Sequence, residues 1–460
     1  MIDFSLEPEF EAKLEWIRRF VREEVEPLDV QFEYNPNTSY DITNEKATAV
    51  VKRLQAKVRE QGLWSPHLDP ELGGQGFGQA KLCFINEILG RSNWAPRIFG
   101  AQAPDSGNGE ILARFGTPAQ KAKYLRPLLD GNILSCYSMT EPDGGSDPTT
   151  FTTTAVQDGD EWVINGEKWF SSNARFASFL IVPIITHPNA DRHVQMTMFI
   201  LPTDTPGIEI VRNVGTWGET EEEAAHAFIR YNNVRVGAEG VLGEVQQGFK
   251  VAQSRLGGGR IHHAMRTVGL CQKALEMAAE RAVSRKVKGG MLADLGVVQD
   301  QIGGWWSELQ QFRLLVLHTA WLYDQGPARA REAYIQTAAC KVATAEVAQE
   351  IIWLRPAPWF ARRLERNALR PDDLRGVSHG DRRWTDRGSS RDTRSPGLEA
   401  NAESLRAVSD GSCTGASQAI ARKVRRSAPA LIPPSRTKSM AHAVIVEALR
   451  SRLPALRARR

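Results

Sequence analysis

The hydrophobic period of the chain changes twice between residue 7 and about residue 352, and that switch constrains the fold more than any other feature. From residue 7 to about 135, apolar side chains recur every three or four positions. EFEAKLEWIRRFVREEV sets Phe10, Leu14, Ile17 and Val21 on one helical face with charges between them. A Gly-rich break, DPELGGQGFGQA, precedes a second helical pair, KLCFINEILGRS and NGEILARFG. TPAQKAKYLRPLLDG then opens on Thr117–Pro118, a helix-start signature, and closes on Gly131. Between about 136 and 240 the runs EWVINGEKWFSS, SFLIVPIIT, QMTMFILPT and AFIRYNNVRV are short, β-branched or aromatic, and bounded by NG, HPNAD, PTDTPG and NN turns. Helical spacing returns from 246 to about 352 in runs too long and regular for strands. No internal repeat is evident. The expected class is α+β: a helical N-terminal domain (1–135), a central β-domain (136–240), a C-terminal helical bundle (241–352) and an irregular tail (353–460).

Composition narrows the setting. At 460 residues and 42% hydrophobic, the chain is long enough for two or three cores. No run approaches the roughly 18 apolar residues that span a bilayer, and the acidic, amphipathic start MIDFSLEPEFEAKLEW reads against a secretory signal. Cys83, Cys136, Cys271, Cys340 and Cys413 are scattered and never spaced CxxC, which points to reduced thiols in the cytoplasm and to no metal site. His262 and His263 are adjacent, about 100° apart on a helix, and make a poor chelate. Charge divides the chain unevenly. Residues 1–353 carry 35 Lys+Arg against 44 Asp+Glu, whereas residues 354–460 carry 23 against 10, and 21 of those 23 are arginine. The tail, rich in Arg, Ser and Pro and without sustained period, reads as disordered.

Two polar clusters at strand edges carry the chemistry. YSMTEPDGGSD (137–147) and INGEKWFSSNA (164–174) set backbone amides and hydroxyls beside aromatic or sulfur side chains, which suits a flat, polar-edged heterocycle. Taken singly, each is better read as an ordinary turn. Glu141 has the chemistry of a catalytic carboxylate but lies inside the first cluster. Asp105 reads as a structural or capping residue, His262 and His263 as packing or hydrogen-bonding residues, and Trp305 and Trp306 as core.

Together, and in this order, the motifs resemble those of the acyl-CoA dehydrogenase family, from residue 3 to about 352. YSMTEPDGGSD is similar to that family's flavin signature, which implies FAD as cofactor, with Tyr137, Met139 and Thr140 lining the isoalloxazine. It also implies Ser146 near both the flavin and the thioester end of an acyl-CoA. INGEKWFSS resembles the second flavin strand: Phe170 takes the aromatic position against the ring, and Ser172 the hydroxyl that hydrogen-bonds near the hydride-accepting nitrogen. NNVRV (232–236), VLGEVQQGF (241–249) and the helix opening near Arg260 match as well, with Arg260 on the CoA side. Arg285 matches an arginine that meets the FAD pyrophosphate across a subunit interface, which implies a homo-oligomer; Lys288 stands where the family has an aromatic. APDSGNGEILARFGTPAQK (103–121) and GGGRIHHAMRTVGL (257–270) resemble the subgroup linked to aminoglycoside-phosphotransferase-like kinases. The implied reaction is α,β-dehydrogenation of an acyl-CoA, with an electron-transfer flavoprotein as acceptor and fatty acid metabolism as the setting.

That reaction needs a carboxylate base, which the subgroup carries in a C-terminal DGPxEVHR motif after an HGxxGxSxxxPL junction. Neither string occurs in this chain, so no catalytic residue is assigned. Arg383 through Arg391 (RWTDRGSSR) can, however, be encoded so that dropping one base yields Asp-Gly-Pro-Thr-Glu-Val-His-Arg. In the same shifted frame, Pro358 through Leu369 permits His-Gly-Ser-Leu-Gly-Asp-Ser-Asn-Glu-Thr-Pro. Two family motifs, in order and in one frame, point to a frameshifted translation beyond about Trp353, and the arginine excess follows from reading a GC-rich gene out of frame. Two alternatives stand beside this reading. One is a pseudoenzyme that binds flavin or acyl-CoA without turnover. The other is a flavoprotein whose basic tail binds nucleic acid, disfavoured by the near-absence of lysine and of interleaved aromatics.

Overall fold

The computed structural model describes residues 4–32, 36–72, 74–145, 147–215 and 220–352. Of these, 4–278 and 305–352 form one compact unit, and 279–304 belong to a second. The tail and Ser146 lie outside the described residues.

Among the described residues, eight α-helices precede the sheet: α1 (Pro8–Phe20), α2 (Glu26–Gln31), α3 (Glu45–Glu60), α4 (Gly78–Leu89), α5 (Ala95–Ile98), α6 (Asp105–Phe115), α7 (Pro118–Gln120) and α8 (Arg126–Leu129). In α1, the proline in the first turn and Glu9 and Glu11 beside it suit a helix N-terminus, and Phe10, Leu14, Ile17 and Phe20 form the buried stripe. Val21–Val25 continues it as a single π turn. Asn44 caps α3 by accepting from the Ala47 amide. Thr117 and Gln120 form a reciprocal capping box around Pro118. The stripes of α1 to α5 meet in one apolar core that includes Leu54, Ile85, Trp94 and Phe99.

Among the described residues, the middle of the chain forms a seven-stranded sheet. Its strands are β1 (Ser135–Tyr137), β2 (Thr154–Asp158), β3 (Glu161–Ser172), β4 (Phe179–Ile185), β5 (Met196–Pro202), β6 (Ile208–Val214) and β7 (His226–Gly237). They run β1-β4-β2-β3-β7-β6, and β5 also pairs with β4. β4, buried at every position, lies parallel to β1 and antiparallel to β5, as an apolar run without alternation should. β3 and β7 are the long antiparallel pair. Their register shifts between Lys168 and Ser171, where Phe170 takes a positive φ of 54°. This bulge turns the end of β3 and re-aims its last side chains.

After the sheet come α9 (Gly248–Ser284), the hairpin β8 (Lys286–Val287) and β9 (Gly290–Met291), α10 (Gly296–Asp324) and α11 (Ala330–Ile352). Within the larger unit, Met265, Val268 and Cys271 of α9 pack with Trp305, Phe312 and Val316 of α10 and with Cys340, Ala348 and Ile351 of α11. Trp306 departs from the core reading and is 39% exposed: successive helical residues point about 100° apart, so only one of the adjacent tryptophans faces inward.

Polar groups join α9 and α10 to the N-terminal helices. Asp324 accepts from the Gln79 and Ala80 amides and so caps α4 across the chain. Arg91 bridges Glu26 and Glu276, and Arg313 pairs with Glu87. No described helix is long and apolar enough to cross a membrane.

Candidate active site

The two motif clusters meet at the ends of β1 and β3. The Trp169 amide donates to the Thr140 carbonyl (2.7 Å). The Ser138 and Ser171 hydroxyls are 2.7 Å apart, both buried, and Tyr231 donates to Ser138 at 3.1 Å. Beside this buried contact, Tyr137 ends β1 and Phe170 and Ser172 end β3. Tyr137, Thr140, Phe170 and Ser172 are all half-buried, whereas Met139 is buried with Phe151, Ile185 and Met196.

Behind this surface lies an ion pair. Lys168 is fully buried; its Nζ donates to Glu141 Oε1 (2.8 Å) and to the Met139 carbonyl (3.0 Å), and sits 4.2 Å from the Phe151 ring centroid. Glu141, 4% exposed, also accepts from the Thr152 and Thr153 amides and the Thr152 hydroxyl. Burial lowers the Lys168 ammonium to about 8, against the pull of Glu141. Burial tends to raise the Glu141 carboxyl, but Lys168 and the threonine bonds hold it below the usual carboxylate range. Glu141 is therefore a clamp on the 137–147 loop, its oxygens committed within the fold. The carboxylate of Asp105 is likewise committed, to the Ser135 amide (2.8 Å), the Ser135 hydroxyl and Gln102 (2.9 Å), and it fixes the start of β1 to α6. His262 bonds Gln79 (3.0 Å), and burial holds its ring well below the ordinary histidine range, hence neutral.

Three residues passed over in the sequence also border the motif face. Arg255 of α9 places its guanidinium 4.0 Å from the Tyr137 ring centroid, donates to Asn108 Oδ1 (2.9 Å) and reaches the Pro104 carbonyl. Asn108 in turn donates to the Ser135 hydroxyl at 2.9 Å. His226 Nδ1 lies 2.9 Å from Ser172 Oγ. Only the histidine had a signal, as the one ring nitrogen donor at the head of the AFIRYNNVRV run. Arg260 lies half-buried on α9, five residues past Arg255, roughly 7–8 Å further along the axis. Arg285 belongs to the second unit, where its carbonyl accepts from the Leu292 amide. Among the described residues, no group of His, Cys, Asp and Glu is arranged to hold a metal ion.

A carboxylate close to this cluster should govern stability between acid and neutral pH. Burial raises Glu110 to about 7, only partly offset by Arg114 and Arg255. The folded state thus holds its proton more tightly than the unfolded chain does. The stabilisation is complete below about pH 4.5 and is lost as pH rises toward 7; each unit of displacement is about tenfold in the unfolding equilibrium. Urea midpoints measured across that window should fall in the native chain and flatten in Glu110→Gln; parallel curves would refute the assignment.

Comparison with known proteins settles the lineage. The N-terminal, middle and C-terminal domains of acyl-CoA dehydrogenase match residues 7–132, 136–234 and 246–354 respectively. The chain belongs to the acyl-CoA dehydrogenase family. It is 43% identical over 283 residues to "Probable acyl-CoA dehydrogenase FadE2" of Mycobacterium tuberculosis, covering 61% of this chain and 69% of that protein. It is 35% identical over 340 residues to acyl-CoA dehydrogenase family member 11 of Mus musculus, covering 71% of this chain but only 43% of that longer protein. Among solved structures, a Mycobacterium abscessus protein assigned as an acyl-CoA dehydrogenase superposes with a TM-score of 0.71 at 34% identity, covering 82% and 93% of the two chains. The fold is thus that of the acyl-CoA dehydrogenases, and the chain is an oxidoreductase of that family.

Proposed function

We propose that this acyl-CoA dehydrogenase homologue binds FAD against the face of Tyr137, Met139, Thr140, Phe170 and Ser172, and serves the α,β-dehydrogenation of an acyl-CoA thioester. One observation carries the reading: the Ser138–Ser171 and Trp169–Thr140 contacts bring two motifs about 30 residues apart in sequence side by side at the ends of β1 and β3. That face offers what a flat heterocycle requires, an aromatic wall with hydroxyl donors at its edge. Bound FAD supplies the acceptor for a hydride. Phe170 and Met139 exclude water from the face, while Thr140 and Ser172 bring hydroxyls to its rim. Lys168 and Glu141 hold the loop from behind without entering the chemistry. Ser146 and Arg260 complete the substrate side, and Arg285 the FAD pyrophosphate across a homo-oligomer interface. Electrons leave to an electron-transfer flavoprotein, and the setting is cytoplasmic fatty acid metabolism, in the subgroup linked to aminoglycoside-phosphotransferase-like kinases.

The α-proton still requires a base. The reading places it in a C-terminal motif displaced by a frameshift beyond about Trp353, and the C-terminal domain match ending at residue 354 is consistent with that. Resequencing the codons for residues 345–400 and comparing two purified proteins tests both parts. The chain as written should bind FAD yet leave its visible bands intact under anaerobic acyl-CoA. A one-base repair that restores DGPTEVHR should allow the bands to bleach, at least about 100-fold faster, the lower end of what a positioned base contributes. Rapid bleaching by the unrepaired chain, or an intact genomic frame, would end the frameshift account; a protein that takes up no FAD would end the flavin one.

A further inference from the structure

His226 heads β7 and pairs in register with Ser172, the last residue of β3. It is 3% exposed, and its Nδ1 stands 2.9 Å from Ser172 Oγ. The Phe170 ring lies edge-on to the imidazole at 6.2 Å. Behind the pair, the Asn173 amide donates to the Ala225 carbonyl (2.7 Å) and ties the two strand ends together. Neither partner of the Ser172–His226 contact is therefore a loosely held surface group.

A serine hydroxyl carries one proton, and an imidazole nitrogen is either donor or acceptor. If His226 Nδ1 is bare, Ser172 spends its proton on the ring. If Nδ1 carries hydrogen, the ring donates, Ser172 Oγ accepts, and the hydroxyl proton is free to point away from the imidazole. The hydride-accepting nitrogen of an oxidised flavin has a lone pair and no hydrogen, so a serine serving it has to donate. Only the second arrangement satisfies both contacts.

We propose that His226 is a positioning residue: through an Nδ1–H donated to Ser172 Oγ, it commits the serine proton to the flavin. This rests on the flavin reading of the Phe170–Ser172 face and adds to it the residue that sets the direction of the serine hydrogen bond. Reduction gives the flavin nitrogen a hydrogen, after which Ser172 must accept instead. Accepting from His226 polarises the hydroxyl, which makes Ser172 a stronger donor and a weaker acceptor and so favours the oxidised cofactor. Removing that donor weakens the polarisation, which favours the reduced one.

The test is the flavin midpoint potential of the full FAD-loaded chain and its variants, together with FAD content. His226→Leu fills the space but donates nothing, and should shift the reduced-to-oxidised ratio about tenfold toward reduced, close to 30 mV for a two-electron couple. His226→Asn offers an amide N–H near the Nδ1 position and should stay near the native value. In a Ser172→Ala background the leucine change should have no further effect. His226→Ala serves as a second non-donating variant should leucine strain the strand end. Retained FAD with an unmoved potential in both non-donating variants would reduce His226 to a packing residue and leave the flavin reading standing. Failure of the unsubstituted chain to take up FAD would overturn the flavin reading, and the His226 assignment with it.

Discussion

Lys168→Met should destabilise the protein by about 3–5 kcal/mol, the cost typical of breaking a buried ion pair by removing one partner. Methionine replaces the aliphatic stem well, so packing contributes little to the loss. What remains is a carboxylate 4% exposed that still accepts from Thr152 and Thr153 but has lost the ammonium that neutralises it. The Met139 carbonyl loses its donor as well. Both losses fall on the 137–147 loop, so weakened FAD retention should accompany the drop in stability. Glu141→Gln on top of Lys168→Met removes the stranded charge and should recover much of it, because the penalty belongs to the uncompensated ion rather than to the missing attraction. Urea denaturation of the two single variants and the double variant would decide this; a Lys168→Met midpoint equal to the native one would show that the carboxylate finds water or a proton at no cost.

Gly269→Ala should also destabilise, against the sign that helix propensity alone predicts. In the middle of a helix, alanine is favoured over glycine by about 1 kcal/mol. Here α9 passes the end of α4 so closely that a Cβ on Gly269 would stand 1.8 Å from the Glu87 carbonyl oxygen. A Cβ on Gly90 would meet the Arg266 carbonyl at 2.0 Å, so the approach is tight from both sides. Backbone carbonyls cannot rotate away as side-chain ends do, and the helices would have to separate. Separation would strain the bonds from Arg266 to Asn86 Oδ1 (2.7 Å) and to the Ala101 carbonyl (2.6 Å). A net loss of about 2–3 kcal/mol follows, in the range of overpacked cores. Thermal or chemical denaturation of Gly269→Ala tests it, and a stabilised variant would mean that the crossing yields easily.

Much of the architecture was legible because it follows from periods. The spacing of Phe10, Leu14 and Ile17 dictates a helix with one buried face, and the unbroken apolar run of β4 dictates a strand covered on both sides. Thr117–Pro118 is a helix start on chemistry alone. Of the site, the two motif clusters were visible as strings, whereas their meeting depends on the Ser138–Ser171 and Trp169–Thr140 contacts. The core reading of Trp306 fails on the same geometry: the 100° step that separates His262 from His263 also separates Trp305 from Trp306.

The polar partnerships were not legible. A lysine in a strand reads as a solvated side chain, and Lys168 is instead sealed against Glu141, 27 residues away. Arg255 reaches Asn108 across 147 residues, and His226 reaches Ser172 across 54. The sequence by itself determined the element types, their order and which side chains share a face, because backbone geometry makes those choices within a few residues. Only the tertiary structure decided which buried charge meets which. An ion removed from water requires a partner, and the partner is whatever distant segment the packed apolar faces have already brought within reach.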